Sequence, residues 1–158
     1  GLRTRIETDV VPVGEATTDV VAGADLLVVG GPTHAHGMTS SMSRTSAVEA
    51  AGSDDDLDLD ADAEGPGLRD WFHELSRQQG RDRFGAAFDT RVQGPAAFTG
   101  RASKGIAKRI RQHRYELLVD PESFLVDKEN QLLDHEAERA VTWGETVAAS
   151  LDASILSG

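Results

Sequence analysis

Two short apolar runs, each closed by a turn-forming cluster, set the rhythm of the chain. Leu26-Leu27-Val28-Val29 runs into Gly30-Gly31-Pro32-Thr33, and Phe84-Gly85-Ala86-Ala87-Phe88 runs into Asp89-Thr90-Arg91-Val92-Gln93-Gly94-Pro95. Runs this short and this apolar predict strands buried on both faces, over Asp25–Val29 and Phe84–Phe88. Upstream, Ile6, Val10, Val11 and Val13 sit among charged residues and predict a strand over Arg5–Val13. Pro12 favours a position near that strand's end or on a sheet edge. Gly14 to Ala22 reads as a polar connection with about one helical turn.

Between and after the runs the period changes. Leu68, Trp71, Phe72 and Leu75 recur at i, i+3, i+4 and i+7, which predicts an amphipathic helix over Gly67–Gln79, ended by Gly80. Trp71 lies on its apolar face, so core packing is the expected role. A second helix is expected over Arg101–Arg114 with Ile106, Ala107 and Ile110 inward. Tyr115 to Val119 predicts a strand that Pro121-Glu122 interrupts and Ser123–Val126 resumes. Asp134 is placed to cap a last helix, in which Ala137, Ala140, Val141, Gly144, Val147, Ala148 and Leu151 form one apolar face. No internal repeat is visible. Buried runs alternating with amphipathic helices predict an α/β domain with a parallel sheet. Ligands in such sheets bind at the carboxyl ends of strands, so the two turn-rich clusters are the first candidates for function.

Composition narrows this. A chain of 158 residues with 39% hydrophobic and 27% charged residues suits one soluble domain, residues 1–158. No apolar run reaches the ~20 residues of a membrane helix, and no signal peptide is visible. There is no cysteine, which excludes thiolate catalysis and Cys-based metal sites. The expectation is a cytoplasmic protein without membrane contact. A formal net charge of −11 argues against generic nucleic-acid binding and suits docking on a basic partner. Much of that charge lies in Ser53–Glu64, where like charges repel; residues 53–67 are expected to be a mobile, solvated loop. Its alternating aspartates suggest an EF-hand, but from Asp58 the sixth position is Ala63 and the twelfth is Arg69, where glycine and glutamate are required. The cations Arg101, Lys104, Lys108, Arg109, Arg111 and Arg114 read first as a solvated helix face and second as a phosphate or partner patch.

Gly30-Gly31-Pro32-Thr33, after a Leu-Leu-Val-Val strand and continuing to Gly37-Met38, resembles the third strand and first flavin loop of the flavodoxin-like family. Phe88-Asp89-Thr90-Arg91 and Pro121-Glu122-Ser123-Phe124 resemble segments of its actinobacterial members. The resemblance covers nearly the whole chain. It implies a three-layer sandwich around a parallel sheet of order 2-1-3-4-5, with Arg5–Val13 and Asp25–Val29 as strands two and three. It also implies FMN held between two loops, Pro32, Thr33, His34, Ala35, His36 and Gly37 on one side and Asp89, Thr90, Arg91 and Val92 on the other. Gly31 and Gly37 would then let the backbone approach the ring. The family's first strand, phosphate loop and first helix have no counterpart here, Gly1-Leu2-Arg3 resembling only that helix's tail. The activity implied is electron transfer or NAD(P)H-dependent quinone or flavin reduction, with a redox partner protein, NAD(P)H or a quinone on the other side.

Three further readings stand beside it. A flavin-free flavodoxin-like interaction module fits the same fold, and neither loop offers the Trp or Tyr with which flavodoxins sandwich the ring; His34 or His36 could stack instead, and Arg91 could neutralise the reduced flavin. Metal-dependent hydrolysis at His34 and His36 lacks an identifiable third ligand, so no metal site is assigned. A response-regulator receiver would need acidic residues at the end of a first strand that is missing.

Overall fold

The computed structural model describes residues 1–33, 67–75, 83–94 and 101–157. His34–Gly37, the acidic run from Ser53 and the serine-rich stretch from Thr39 lie outside the described residues. The described elements are a 3-10 turn, Leu2–Thr4, the helices α1 (Thr18–Ala22), α2 (Leu68–Glu74), α3 (Ala102–Gln112) and α4 (Glu136–Ser157), and the strands β1 (Leu26–Pro32), β2 (Phe84–Val92), β3 (Glu116–Leu117) and β4 (Glu122–Val126). All strand pairings are parallel. The chain is therefore an α/β protein with an open parallel sheet.

β2 is the middle strand. β1 runs along one side of it, from Leu26 opposite Phe84 to Pro32 opposite Thr90. β3 and β4 share the other side, β3 at Phe84–Gly85 and β4 at Phe88–Val92. They are one edge strand interrupted, as the sequence predicts. From Gly85 to Phe88 β2 advances three residues while the edge strand goes from Leu117 to Glu122, so the chain bulges outward. Pro121, with no N–H to give to a ladder, ends that bulge.

Two expectations are corrected. Arg5–Val13 is not a strand: after the 3-10 turn it runs without regular structure, and most of its residues are exposed. Its apolar residues are too scattered among charges to cover a sheet edge. The described sheet runs β1-β2-β3 with β4 beside β2, and a strand from Arg5–Val13 is not part of it. The second concerns β2. Asp89–Val92 is not a loop but the continuation of the strand, because β4 pairs with it residue for residue up to Val92.

Paired positions share a face of the sheet, and the two faces have different covers. Leu27, Val29 and Ala87 face α1, α2 and α3. Their core holds Val21, Phe72, Ile106, Ala107 and Ile110, the inward residues expected of α3 among them. Trp71 packs edge-on to Phe72, with centroids 4.8 Å apart. Its indole N–H donates to the Ala16 carbonyl at 2.6 Å, fastening the irregular amino-terminal segment to α2. Trp71 is thus a core residue, as its helical spacing implies.

α4 and the 3-10 turn pack together, and α4 reaches β4. Phe88, Phe124 and Trp143 form an aromatic triad with centroids 5.8 to 6.0 Å apart. Asp134 does not cap α4, which starts two residues later after a left-handed turn at His135 (φ 67°). Glu136 does the anchoring instead. Its carboxylate accepts the Leu125 N–H at 2.9 Å and pairs with Arg139 at 2.6 Å. Arg139 also donates to Glu122 and to the Ser123 carbonyl and lies over the Phe124 ring. One guanidinium so ties α4 to β4 through both charge and ring contact.

Two outcomes follow from this packing. A Cβ on Gly85 would stand 2.6 Å from Ile110 Cγ2. Gly85→Ala is expected to destabilise the fold by about 1–3 kcal/mol through overpacking, seen as a lower urea midpoint. Tyr115, the only tyrosine, is buried, and its hydroxyl has no hydrogen-bond partner among the described residues. Burial raises its pKa, with the nearby Arg83 charge opposing in part. The folded state therefore holds the phenol proton more tightly than the unfolded chain. That stabilisation is complete below the unfolded value of about 10 and is lost as pH rises through the folded value. Absorbance at the phenolate band should show delayed ionisation, and Tyr115→Phe should flatten the fall in stability above pH ~10.

Candidate functional site

The sequence places its candidates at the carboxyl ends of β1 and β2, and the register brings those ends together. Pro32 lies opposite Thr90, and the Thr33 N–H donates to the Thr90 carbonyl at 2.8 Å. Pro32 falls where it is tolerated. The Thr33 bond puts the Gly31 and Thr33 backbones toward β2, which turns the Pro32 nitrogen to the open side of β1. Of the first group only Pro32 and Thr33 are described; His34, Ala35, His36 and Gly37 lie outside the described residues. All of the second group are.

Three of the described side chains, Thr33, Asp89 and Arg91, are already engaged. Helix α3 starts at Arg101, which supplies no side-chain cap of its own. The caps come from the sheet instead. The Asp89 carboxylate accepts the Ser103 N–H at 2.6 Å, and the Thr33 hydroxyl accepts the Ala102 N–H at 3.0 Å. Asp89 is fully buried; its Oδ2 takes the Ser103 N–H, and its Oδ1 has no hydrogen-bond partner among the described residues. Its position suits a carboxylate because the free N–H groups and dipole of a helix start favour negative charge. Gly31 is likewise committed: a Cβ there would stand 3.0 Å from Leu68 Cδ1, so its small size serves α2 packing. Arg91 is half-buried and donates to the Gly94 carbonyl at 2.8 Å. Val92 and Pro32 are exposed, and Thr90 is half-buried.

The sequence reading missed Arg101, Ser103 and Ser123. Arg101 donates to Ser123 Oγ at 3.1 Å and to the Pro121 carbonyl, joining the α3 start to the β4 start. Ser123 lies opposite Asp89 across the sheet. One signal was available: a helix that opens Arg-Ala-Ser-Lys lacks its own N-cap and needs one from elsewhere in the chain.

Thr90 also reaches the other face. There a cleft of about 370 Å³ is lined by Gly1, Leu2, Phe88, Thr90, Phe124, Leu132, Ala140, Val141, Trp143 and Gly144. It is apolar and aromatic, and the indole N–H of Trp143 is buried without a partner in its wall. A volume of ~300–1,000 Å³ is that of small-molecule sites. The carboxyl end of the sheet thus has two exposed residues, Pro32 and Val92, beside an aromatic cleft.

The same residues can be tested against FMN. On the ring side, the described residues offer exposed Pro32 and Val92 and the apolar lining of the cleft. The phosphate requirement is not met among the described residues. The α3 start is filled by Asp89, α4 begins with Glu136 and Glu138, and α1 is capped by Thr17 with Asp19 in its first turn. The short α2 has Asp70 in its first turn. Carboxylates in these positions repel a phosphate. Among the described residues no three His, Asp or Glu side chains group so as to hold a metal ion, and no helix is long and apolar enough to cross a membrane.

Comparison with known protein families, with curated proteins and with solved structures finds no match to this chain.

Asp89→Ala should expose the role of the buried cap. It strands the Ser103 N–H and is expected to cost about 1–3 kcal/mol in chemical denaturation, whereas Asp89→Asn, which retains an acceptor, should cost less. Equal losses for the two variants would contradict the capping role.

Proposed function

We propose that the chain is a flavodoxin-like redox protein whose carboxyl-end site takes a flavin ring. FMN is the ligand that the loop motifs suggest. One observation carries the reading: parallel register brings Pro32–Thr33 and Thr90–Val92 side by side at one end of the sheet. The layers support it too. α1, α2 and α3 cover one face, while α4 and the 3-10 turn cover the other, as in a three-layer sandwich. The flavin, when bound, supplies the redox chemistry. The chain's part is to set backbone N–H and C=O groups against the ring edge and to exclude water from one side of it. Arg91, held by the Gly94 carbonyl, lies on β2 at this edge and would favour a reduced, anionic ring. The electron donor or acceptor would be a partner protein, NAD(P)H or a quinone, and the setting a cytoplasmic one.

The second reading, a flavin-free interaction module, is favoured by the commitment of Asp89 and Thr33 to helix α3 and by the lack of a phosphate cradle among the described residues.

Titration with FMN and with riboflavin separates the two. A ring-only site should bind both, with Kd values within about threefold, because a phosphate contact would be worth more than 1 kcal/mol. In the flavin-loaded protein, Arg91→Ala should lower the reduction potential more than it weakens binding of the oxidised form. Absence of binding to either flavin leaves the interaction module.

A further inference from the structure

The charges of this chain are segregated. From Thr90 to Tyr115 there is no Asp or Glu, and seven of the sixteen Lys and Arg residues fall there. The other residues hold nine cations against 27 acids. Helix α3 concentrates the effect. Lys104, Lys108 and Arg111 are exposed at i, i+4 and i+7, one stripe down the helix, with Arg114 exposed just past its end. Arg109, half-exposed, borders it.

Helix stability does not account for the stripe. Arg109 and Arg111 are in the last turn, where the dipole favours cations. Lys104, in the first turn, opposes the dipole, and its neighbour Lys108 at i+4 repels it. No ion pair offsets this: among the described residues none of Lys104, Lys108, Arg109, Arg111 and Arg114 makes one. The opposite face of α3 is fixed in the core by Ile106, Ala107 and Ile110, all essentially inaccessible. The cations are thus displayed on a rigid support.

We propose that this stripe is a docking surface for an acidic polypeptide segment of a partner protein. Cations one helical turn apart, 5–6 Å, match carboxylates repeating along an acidic helix or extended run. Single-stranded nucleic acid is a poorer match, because it needs aromatic stacking platforms and the stripe has none. The single aromatic ring that follows it, Tyr115, is buried. An anionic membrane is poorer as well, since the exposed positions of α3 offer no apolar side chain to insert. The surface lies on the α3 side of the sheet and does not depend on a flavin.

A fluorescein-labelled oligoglutamate peptide, titrated into the full chain and read by anisotropy, tests this. At ionic strength ~0.15 M, Kd should be below about 100 µM and should rise with salt. The triple variant Lys104→Gln/Lys108→Gln/Arg111→Gln should weaken binding at least about tenfold, the loss of several charge contacts. Arg3→Gln/Arg5→Gln, two exposed cations elsewhere, should leave it unchanged. Amide shift mapping on the unaltered protein should place the peptide on residues 102–114, a readout that does not depend on the variants folding. No binding at that ionic strength, shifts located elsewhere, or equal or tighter binding to single-stranded DNA or phosphatidylglycerol vesicles would each overturn the proposal.

Discussion

The structure turns on a buried carboxylate at the end of its central strand. Asp89 accepts the Ser103 N–H at 2.6 Å and is fully enclosed. Taking a carboxylate out of water costs several kcal/mol unless charge and hydrogen bonds compensate. Here the start of α3 supplies an N–H to Oδ2 and the positive end of its dipole, while Oδ1 has no hydrogen-bond partner among the described residues. The arrangement works only if α3 begins directly over β2. In return, α3 aims Ile106 and Ile110 into the core and closes the sheet over Gly85. Thr33, from the end of β1, completes the cap, so two strands and one helix are fixed relative to one another.

The opposite face is held by different physics. Arg139 spans Glu136, Glu122 and the Phe124 ring, while Glu136 accepts an N–H from β4. Exposed ion pairs contribute little, but Glu136 is largely buried and its hydrogen bond to Leu125 is directional. The lock fastens α4 beside an aromatic cleft. In the cleft wall the Trp143 indole N–H is buried and has no hydrogen-bond partner among the described residues.

Cap and candidate site compete for the same residues. Two motif residues, Thr33 and Asp89, provide the oxygens for a helix start, leaving among the described residues Val92, Pro32 and the cleft for a ligand. Function at this end of the sheet would therefore rest on main-chain groups and shape more than on side-chain chemistry. The exposed cations of α3 are in the reverse position, since among the described residues none of them makes an ion pair.

Much was legible from pattern alone. The runs Leu26–Val29 and Phe84–Phe88, the spacing of Leu68, Trp71, Phe72 and Leu75, and the break at Pro121 each follow from local rules of period and backbone, which need no partner to operate. The same rules misread three places. Asp89–Val92 looks like a turn because its residues are polar, yet it is a strand because β4 pairs with it. Arg5–Val13 looks like a strand because its residues are β-branched, yet no neighbour supplies a ladder. Asp134 looks like a cap, yet Glu136 anchors α4 from two residues further on. Sequence by itself determined where apolar surface must be buried, since hydrophobic periodicity is a property of neighbouring residues. Tertiary structure decided what Asp89, Thr33 and Ser103 do, because a helix start and the oxygen that satisfies it lie 14 and 69 residues apart in the chain and meet only when the sheet is assembled.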